Sequence, residues 1–338
     1  MDIIRAFEKS LGEYEGIQKS KHWKKYNTRR HLYTLANLEN FRNNQLSEGL
    51  DQTFPPETQR EIYHQLIADV GEQYVRENLD DKNVGNGRHC FVEDGLVVDG
   101  GQNYIIKWLY DLEATVFAQK EIRLVCEIGG GYGALAQKIY SRFGGNIILI
   151  DLPEANVLSS YYLSKNFPKA KFLLCDEIEG RTITKEHVEE YDFIIIPPWY
   201  KLAEDVTVDL FINTRSMMEM NINVIKQYLA LIQSHVAEGG FFYNLNRYQK
   251  ISVGYPIKLS KYPYDQKWNV VLSKPAWRQR DHHLLLTRRT GRRRGDIKKE
   301  LRRIGKIGEE FILKPKSLMG KLWYGFKNTM NRFRYQYF

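Results

Sequence analysis

The segment Val125–Leu135 constrains the fold of this chain more than any other part of the sequence. Its residues, VCEIGGGYGAL, form an apolar run, a glycine-rich stretch and the start of a helical pattern. Glycine is needed where a backbone turns tightly and approaches a ligand without a Cβ in the way. A buried strand, a glycine-rich turn and a helix in this order predict an α/β domain that binds a small ligand at the turn.

From Ile122 onward, short apolar runs alternate with helical patterns. This alternation predicts a Rossmann-like, mostly parallel sheet with helices on both faces, after a helical N-terminal extension and before a basic helical C-terminal tail. The last two strands have no helix between them, so they are expected to form an antiparallel pair at one edge. The predicted strands are 123–128, 146–151, 191–196, 206–213, 240–246, 268–273 and 283–287, with 171–175 as a further candidate.

Residue spacing also predicts the helices and three regions of the chain. Pro55 and Pro56 open one helix, residues 105–117 form another, and residues 80–101 read as a loop with a short hairpin. Apolar residues spaced by three and four predict a helix over 217–234. We therefore expect a mostly helical region 1–120, an α/β domain 121–290 and a basic amphipathic tail 291–338.

Composition bounds the class of protein. Hydrophobic residues make up 43% of the 338 residues, enough for a large core. The three cysteines, Cys90, Cys126 and Cys175, lack metal-ligand spacing and are predicted to be reduced thiols. The chain has no long apolar run and no signal-peptide core, so we expect a cytoplasmic protein.

The net charge of +9 is unevenly distributed along the chain. Arg288–Phe338 carries 16 Lys and Arg against 4 Asp and Glu, a net charge of +12, which leaves −3 for all other residues. Any attraction to a polyanion is therefore expected in the tail and not in the α/β domain.

Two carboxylates indicate which ligand the glycine turn binds. Glu127 lies two residues before Gly129, where an acid favours a cationic ligand and would repel the pyrophosphate of a nicotinamide or flavin cofactor. Asp151 ends the next strand, where a carboxylate can accept both hydroxyls of a ribose. S-adenosylmethionine combines a ribose with an ammonium and a sulfonium group. We therefore predict that Glu127, Gly129, Gly131, Gly133 and Asp151 bind S-adenosylmethionine.

With these residues in place, the chain resembles the sugar O-methyltransferases of bacterial surface-polysaccharide clusters. The matching pieces are Cys126–Gly133, Asp151–Glu154, Tyr161–Leu163 and Asp209–Met220. The last piece is the most specific, because the general fold does not demand it. The resemblance implies methyl transfer from S-adenosylmethionine to a hydroxyl of a sugar or lipid-linked glycan, in the synthesis of a surface polysaccharide.

Residues outside the turn are also predicted to contact the cofactor or the acceptor. Asn213 stands at the end of a predicted strand, where it could touch either molecule. Tyr104 and the two residues before it are predicted to fold over the cofactor. His89 and Trp23 are candidates for shaping the acceptor pocket, so the region 1–120 would form a lid.

Transfer of a methyl group to a hydroxyl calls for a general base, because the hydroxyl is a poor nucleophile until its proton leaves. The candidate histidines are His187, His235, His282 and His283. His282 is the predicted base, since Asp281 precedes it and could orient its ring.

Glu219 is the second predicted catalytic residue. The alternative is that Ser216 and Glu219 form a capping box at the start of the 217–234 helix. A divalent metal held by Glu219 and Asp209 is a further alternative, but their spacing is no ligand signature, so no metal is predicted.

A competing motif, Pro197-Pro198-Trp199, is similar to the signature of methyltransferases that act on amino groups of nucleic-acid bases. Two observations disfavour that function. Ile196 occupies the place where a polar residue should accept a hydrogen bond from the target amine. Strand counting also puts 191–196 third and 206–213 fourth, so the prolines would lie beside the adenine, where Trp199 could cover the ring.

The tail is predicted to contain two basic amphipathic helices. Such segments lie at anionic membrane surfaces, which would suit a lipid-linked acceptor at the inner face of the membrane. The alternatives are a helix packed on the body of the protein or on a subunit partner, and contact with nucleic acid, which the residues disfavour as a partner. The apolar face of the first helix comprises Ile297, Leu301 and Ile304, and that of the second comprises Leu318, Leu322, Phe326 and Met330.

A third possible function, beside methylation of a glycan or of nucleic acid, is that of a non-catalytic cofactor-binding or scaffolding protein tethered by its tail.

Overall fold

The computed structural model describes residues 2–13, 31–47, 55–79, 82–88, 90–250, 256–291 and 295–310. These residues form two compact units, and the chain passes from the first to the second between Ile212 and Asn213. Trp23, His89 and the predicted second tail helix lie outside the described residues. The three regions expected from the sequence remain a prediction.

The first unit contains eight α-helices within its described residues. They are α1 (Ile3–Gly12), α2 (Leu35–Leu38), α3 (Pro56–Val70), α4 (Glu72–Glu77), α5 (Asn103–Leu112), α6 (Ala134–Phe143), α7 (Pro153–Asn166) and α8 (Lys185–Glu190). Its strands are β1 (Cys90–Glu93), β2 (Leu96–Asp99), β3 (Leu124–Ile128), β4 (Asn146–Ile150), β5 (Phe172–Leu174), β6 (Thr182–Ile183), β7 (Phe193–Ile196), β8 (Lys201–Leu202) and β9 (Val208–Thr214).

Five parallel strands form the sheet of this unit, in the order β5-β7-β4-β3-β9. Strand β3 is buried along its whole length, as expected for a central parallel strand that helices cover on both faces. Its register aligns Ile128 with Ile150 of β4, so both strands end at the same edge. The predicted α/β class is therefore confirmed, and the extra strand proposed at 171–175 is present as β5.

The helical N-terminal region and its hairpin also match the prediction. Pro56 opens α3, where its missing N–H costs nothing. Strands β1 and β2 pair antiparallel around Asp94 and Gly95, both of which have positive φ. Helix α5 continues into a π-helical turn, Glu113–Phe117.

The second unit is built on three antiparallel strands in the order β13-β14-β10. The antiparallel pairing of the last two strands is thus confirmed, and both are longer than predicted. The elements of this unit are α9 (Ile222–His235), β10 (Val236–Arg247), β11 (Gln249–Lys250), β12 (Ile257–Lys258), β13 (Trp268–Ala276), β14 (Gln279–Arg289) and α10 (Ile297–Glu310).

Candidate functional site

The glycine turn of the first unit connects β3 to α6. Gly129, Gly131 and Gly133 adopt φ values of 73°, 62° and 86°, a region that side chains other than glycine rarely adopt. A Cβ at Gly130 would lie 2.8 Å from the carboxyl carbon of Glu127. The sequence is therefore rich in glycine here because the backbone is left-handed and runs directly against Glu127.

Glu127 is the most unusual titratable group of this unit. Its side chain is 1% exposed, and its Oε2 has no hydrogen-bond partner among the described residues. Burial raises the pKa of Glu127 to about 8, and the nearby carboxylate of Asp151 acts in the same direction. A buried carboxylate with an unpartnered oxygen is costly, so this arrangement favours a ligand that brings a positive charge.

Asp151 follows β4 and lies against the same turn. Its Oδ2 accepts a hydrogen bond from the backbone N–H of Gly131 at 2.9 Å, and its Oδ1 accepts one from Leu152 at 2.7 Å. The amide of Asn156 in α7 donates to the backbone carbonyl of Asp151 at 2.9 Å. These bonds hold the carboxylate at the sheet edge where a ribose would lie.

The rings of Tyr132 and Tyr162 pack against each other at the glycine turn. The ring of Tyr132, inside the glycine turn, meets that of Tyr162 edge-on at 5.1 Å, and Tyr162 accepts a hydrogen bond from Gln102 at 3.2 Å. The guanidinium of Arg42 lies 5.0 Å from the centre of the Tyr132 ring and forms a buried ion pair with Asp99. The position of Arg42 beside the turn could not be predicted from the sequence, since a single arginine in a polar stretch carries no local signal.

The segment predicted to fold over the cofactor is buried at the start of α5. Tyr104 is 4% exposed and its neighbour Asn103 is 0% exposed. Both amide atoms of Asn103 lack a hydrogen-bond partner in the described part of the chain. Asn103 thus joins Glu127 as a second buried polar group whose bonding capacity is unused.

The residues of the turn fit S-adenosylmethionine. The unpartnered oxygen of Glu127 suits an ammonium group, and the glycine backbone leaves room for close approach. The carboxylate of Asp151 suits ribose hydroxyls. The turn has no cationic side chain of its own that would balance a pyrophosphate.

In the second unit, Asn213 is fully buried and its amide is engaged. Its Oδ1 accepts hydrogen bonds from the backbone of Met217 at 3.2 Å and from Asn246 at 2.8 Å. Its Nδ2 donates to Ser216 Oγ at 2.5 Å. These bonds position the turn after β9, and direct contact of Asn213 with the cofactor stays a prediction.

The prediction that Ser216 and Glu219 form a capping box is wrong. Residues 217–219 form a single 3₁₀ turn without a side-chain cap, and α9 begins only at Ile222. Asn221 caps this helix, because its Oδ1 accepts from the second and third backbone N–H groups after it at 3.0 Å each. The regular apolar spacing extended one turn beyond the true helix start.

His282 has the environment expected of a general base. Its Nδ1 is 2.7 Å from Asp281 Oδ1, its side chain is 3% exposed, and its Nε2 has no partner among the described residues. Burial lowers the pKa of His282, the hydrogen bond to Asp281 opposes this, and the charges of Arg215 and Arg247 lower the pKa further. A neutral ring that donates from Nδ1 to Asp281 carries a free lone pair on Nε2.

The neighbouring His283 differs, because both of its ring nitrogens are used. Nε2 lies 2.7 Å from Ser273 Oγ and Nδ1 lies 2.9 Å from the hydroxyl of Tyr248. Burial lowers the pKa of His283 to about 4, with a smaller contribution from Arg303. His283 is therefore a structural histidine.

The two carboxylates considered as metal ligands are both engaged elsewhere. Glu219 forms an ion pair with Lys250 at 2.6 Å. Asp209 lies near the amino end of β9, where it pairs with Lys120 at 2.6 Å and accepts from the backbone of Arg123 at 3.0 Å. The described residues contain no group of three His, Cys, Asp or Glu side chains that could hold a metal ion.

The strand positions inferred for the competing proline motif are confirmed. Strand β7, which precedes Pro197, pairs with β4, whereas β9 pairs with β3. The prolines therefore follow the third strand position and not the fourth. The indole of Trp199 donates a hydrogen bond to Glu13 at 2.9 Å, so this ring is anchored to the end of α1.

The first predicted tail helix is packed on the second unit. Ile297, Leu301 and Ile304 of α10 are buried, and Ser260 lies 3.3 Å from the position that a Cβ on Gly305 would take. This apolar face is therefore not available to a membrane. Within the described residues, none of the helices has the length and apolar character needed to cross a bilayer.

Comparison with known proteins identifies no family. No family model matches the sequence, and no curated protein matches it. Similar solved structures include a Galdieria sulphuraria protein provisionally assigned as a sarcosine dimethylglycine methyltransferase, with 12% identity and TM-score 0.30, covering 45% of this chain and 48% of that one. TrmN from Thermus thermophilus has 10% identity and TM-score 0.37, covering 55% and 48%.

A third similar structure is yhhF from Escherichia coli, provisionally assigned as a methyltransferase, with 12% identity and TM-score 0.34, covering 55% of this chain and 84% of that one. The chain thus spans about half the length of the first two relatives. At TM-scores below 0.5 these similarities do not indicate an activity for this chain. The α/β class rests on the observed strand order.

Proposed function

We propose that the protein is an S-adenosylmethionine-dependent methyltransferase that acts on a hydroxyl of a sugar or glycan. The observation that carries the choice of donor is Glu127, a buried carboxyl with an unpartnered oxygen directly under a glycine turn. An ammonium group placed there would ionise the carboxyl and form a charge-assisted hydrogen bond with it.

In this proposal the chain's own residues position the donor and remove a proton. Asp151 accepts hydrogen bonds from the ribose, in exchange for its bond to the backbone of Gly131. S-adenosylmethionine supplies an electrophilic methyl group on its sulfonium. His282 accepts the acceptor's hydroxyl proton on Nε2, and Asp281 stabilises the imidazolium that forms. Glu219, paired with Lys250, is assigned to holding the acceptor.

The choice of a sugar hydroxyl as acceptor rests on the resemblance of the segment Asp209–Met220 to sugar O-methyltransferases. A lipid-linked glycan at the inner face of the membrane is the acceptor we favour, with residues 311–338 as the membrane contact. Co-sedimentation with anionic liposomes tests this contact. The full chain should bind and a chain ending at Glu310 should not, and equal binding by both would contradict it.

Transfer of a labelled methyl group tests the activity itself. The purified protein is incubated with labelled S-adenosylmethionine and either a surface-polysaccharide fraction or nucleic acid. Label in the polysaccharide supports the proposal. Label in nucleic acid would favour base methylation, and label in neither fraction would contradict both functions.

A further inference from the structure

Asn103 and Glu127 are buried side chains of the first unit whose polar atoms lack hydrogen-bond partners among the described residues. Asn103 is 0% exposed, and neither its Nδ2 nor its Oδ1 has a hydrogen-bond partner in the described chain. A buried polar group that makes no hydrogen bond loses its hydration without compensation, so such groups are rare. Oε2 of Glu127 also has no hydrogen-bond partner among the described residues.

The packing of helices α5 and α6 brings Asn103 to the level of the turn. Their carboxyl ends are joined, since Arg142 near the end of α6 forms an ion pair of 2.7 Å with Glu113, just after α5. Phe117 and Phe143 also stack there, with ring centres 3.8 Å apart. The two helices pack along each other and have ten residues each. Asn103 lies ten residues before Glu113 and Ala134 lies eight residues before Arg142, so the two amino ends lie within about one helical turn of each other.

A second, independent contact gives the same location. Gln102, the residue before Asn103, donates to the hydroxyl of Tyr162, whose ring meets that of Tyr132 in the turn. The side chain of Gln102 is thus linked to the glycine turn through the rings of Tyr162 and Tyr132. Asn103 therefore lies within about one helical turn of the amino end of α6. The carboxyl of Glu127 lies near the same end, where the backbone of Ala136 lowers its pKa.

We propose that Asn103 and Glu127 together bind the amino-acid group of S-adenosylmethionine. This inference rests on the proposed function. Asn103 Nδ2 donates to the carboxylate, while Asn103 Oδ1 and Glu127 Oε2 accept from the ammonium group. The amino ends of α5 and α6 add positive potential for the carboxylate. Neither side chain is open to solvent, so the amino-acid group reaches them only after a local displacement of the side chains that cover them.

Calorimetry with two ligands tests this assignment on the full chain. S-adenosylmethionine carries the amino-acid group, and 5′-methylthioadenosine lacks it. Asn103→Ala should weaken binding of S-adenosylmethionine by about tenfold or more, since a hydrogen bond to a charged group is lost, and leave 5′-methylthioadenosine unchanged. The melting temperature without ligand should fall less than that of a buried asparagine whose amide is hydrogen-bonded, because no existing hydrogen bond is removed.

Asn166→Ala is the matched control. Asn166 is also a buried asparagine, but its side-chain Nδ2 donates to the backbone carbonyl of Tyr162 at 2.9 Å. This variant should melt at a lower temperature and keep its affinity for both ligands. Asn103→Asp, which preserves volume, should weaken S-adenosylmethionine alone, and it keeps the test valid if the alanine variant does not fold.

The outcomes separate this inference from the proposed function. If the unaltered protein does not bind S-adenosylmethionine, the proposed function fails. If it binds, but Asn103→Ala and Asn103→Asp bind equally well, Asn103 is satisfied by a buried water or not at all and the inference fails. An equal loss for both ligands would also contradict it, because that result indicates a general structural role.

Discussion

Buried polar side chains serve two different purposes, and each unit supplies an example. In the first unit, Glu127 and Asn103 leave atoms without hydrogen-bond partners beside the glycine turn. In the second unit, Asn246 donates to Asn213 at 2.8 Å and to Asn244 at 2.6 Å, and Asn244 donates to Tyr264 at 2.8 Å. Glu127 and Asn103 have polar atoms that make no hydrogen bond in the free protein, whereas Asn213, Asn244 and Asn246 form a closed network of hydrogen-bonded amides.

Hydrogen-bond satisfaction therefore distinguishes buried residues that bind a ligand from buried residues that stabilise the fold. A satisfied network fixes one packing arrangement, and breaking it leaves partners unpaired. An unsatisfied group gains nothing in the free protein, so removing it should cost binding or rate and not stability. His282 and His283 show the same contrast in adjacent residues, because Nε2 of His282 has no partner among the described residues and both ring nitrogens of His283 are hydrogen-bonded.

The largest expected effect is on the rate of methyl transfer. His282→Ala should lower kcat about 10²–10⁴-fold, the range for loss of a general base, with little change in the affinity for S-adenosylmethionine. Steady-state kinetics and calorimetry measure the two quantities. The activity of the unaltered enzyme should persist to lower pH than an ordinary histidine allows, since burial lowers the pKa of His282. A change in kcat below threefold would remove His282 as the base.

Glu127→Gln should give the next largest effect, with opposite signs for binding and stability. Affinity for S-adenosylmethionine should fall about 100-fold, because the charge-assisted bond is lost. The pKa of Glu127 rises from 4.5 unfolded to about 8 folded, so its contribution to stability is full below pH 4.5 and lost as pH rises through 8.

The neutral glutamine avoids that loss. At pH 8 the variant without ligand should therefore be more stable than the unaltered protein, by at least about 1 kcal/mol in urea unfolding. A variant that binds normally, or one that is less stable at pH 8, would contradict the assignment of Glu127 as an unsatisfied binding group.

Asn246→Ala tests the closed network. The change removes the hydrogen bonds that Asn246 makes with Asn213, with Asn244 and with the backbone N–H of Met218, and it should cost about 3 kcal/mol of unfolding free energy. Chemical denaturation measures the loss. A cost below about 0.5 kcal/mol would show that the network is not a stabilising element.

The smallest expected effect is on acid stability. The pKa of His283 falls to about 4 in the folded protein from an ordinary 6.5, so its contribution is full above pH 6.5 and lost as pH falls toward 4. His283→Gln should flatten this acid limb of the stability curve while kcat at pH 8 stays within about twofold. An unchanged limb would place the acid sensitivity on another group.

Sequence reasoning found those parts of the site that local patterns encode. The strand, the glycine turn and the two acids at strand ends are local, so β3, β4, Glu127 and Asp151 could be predicted. The pairing of Asp281 with His282 followed from adjacency in the chain. The order of β7 and β9 also followed, because strands in such sheets are counted from the glycine turn.

The remaining features depend on contacts between distant segments. Asn103 is informative only because its amide is buried and unpartnered, and Arg42 only because it lies over Tyr132 and pairs with Asp99. The start of α9 was misplaced because apolar spacing continued through a turn that Asn221 separates from the helix. Burial, pairing and caps of this kind are set by the tertiary structure and leave no local pattern.

Calorimetric titration with S-adenosylmethionine in buffers of different ionisation enthalpy tests the central claim most directly. If Glu127 is the ammonium-binding group, binding near pH 7 should release close to one proton, because a carboxyl with a pKa of about 8 must ionise. Affinity should then rise with pH up to about 8, and Glu127→Gln should abolish the proton release. Absence of binding, or binding without proton release, would contradict the account.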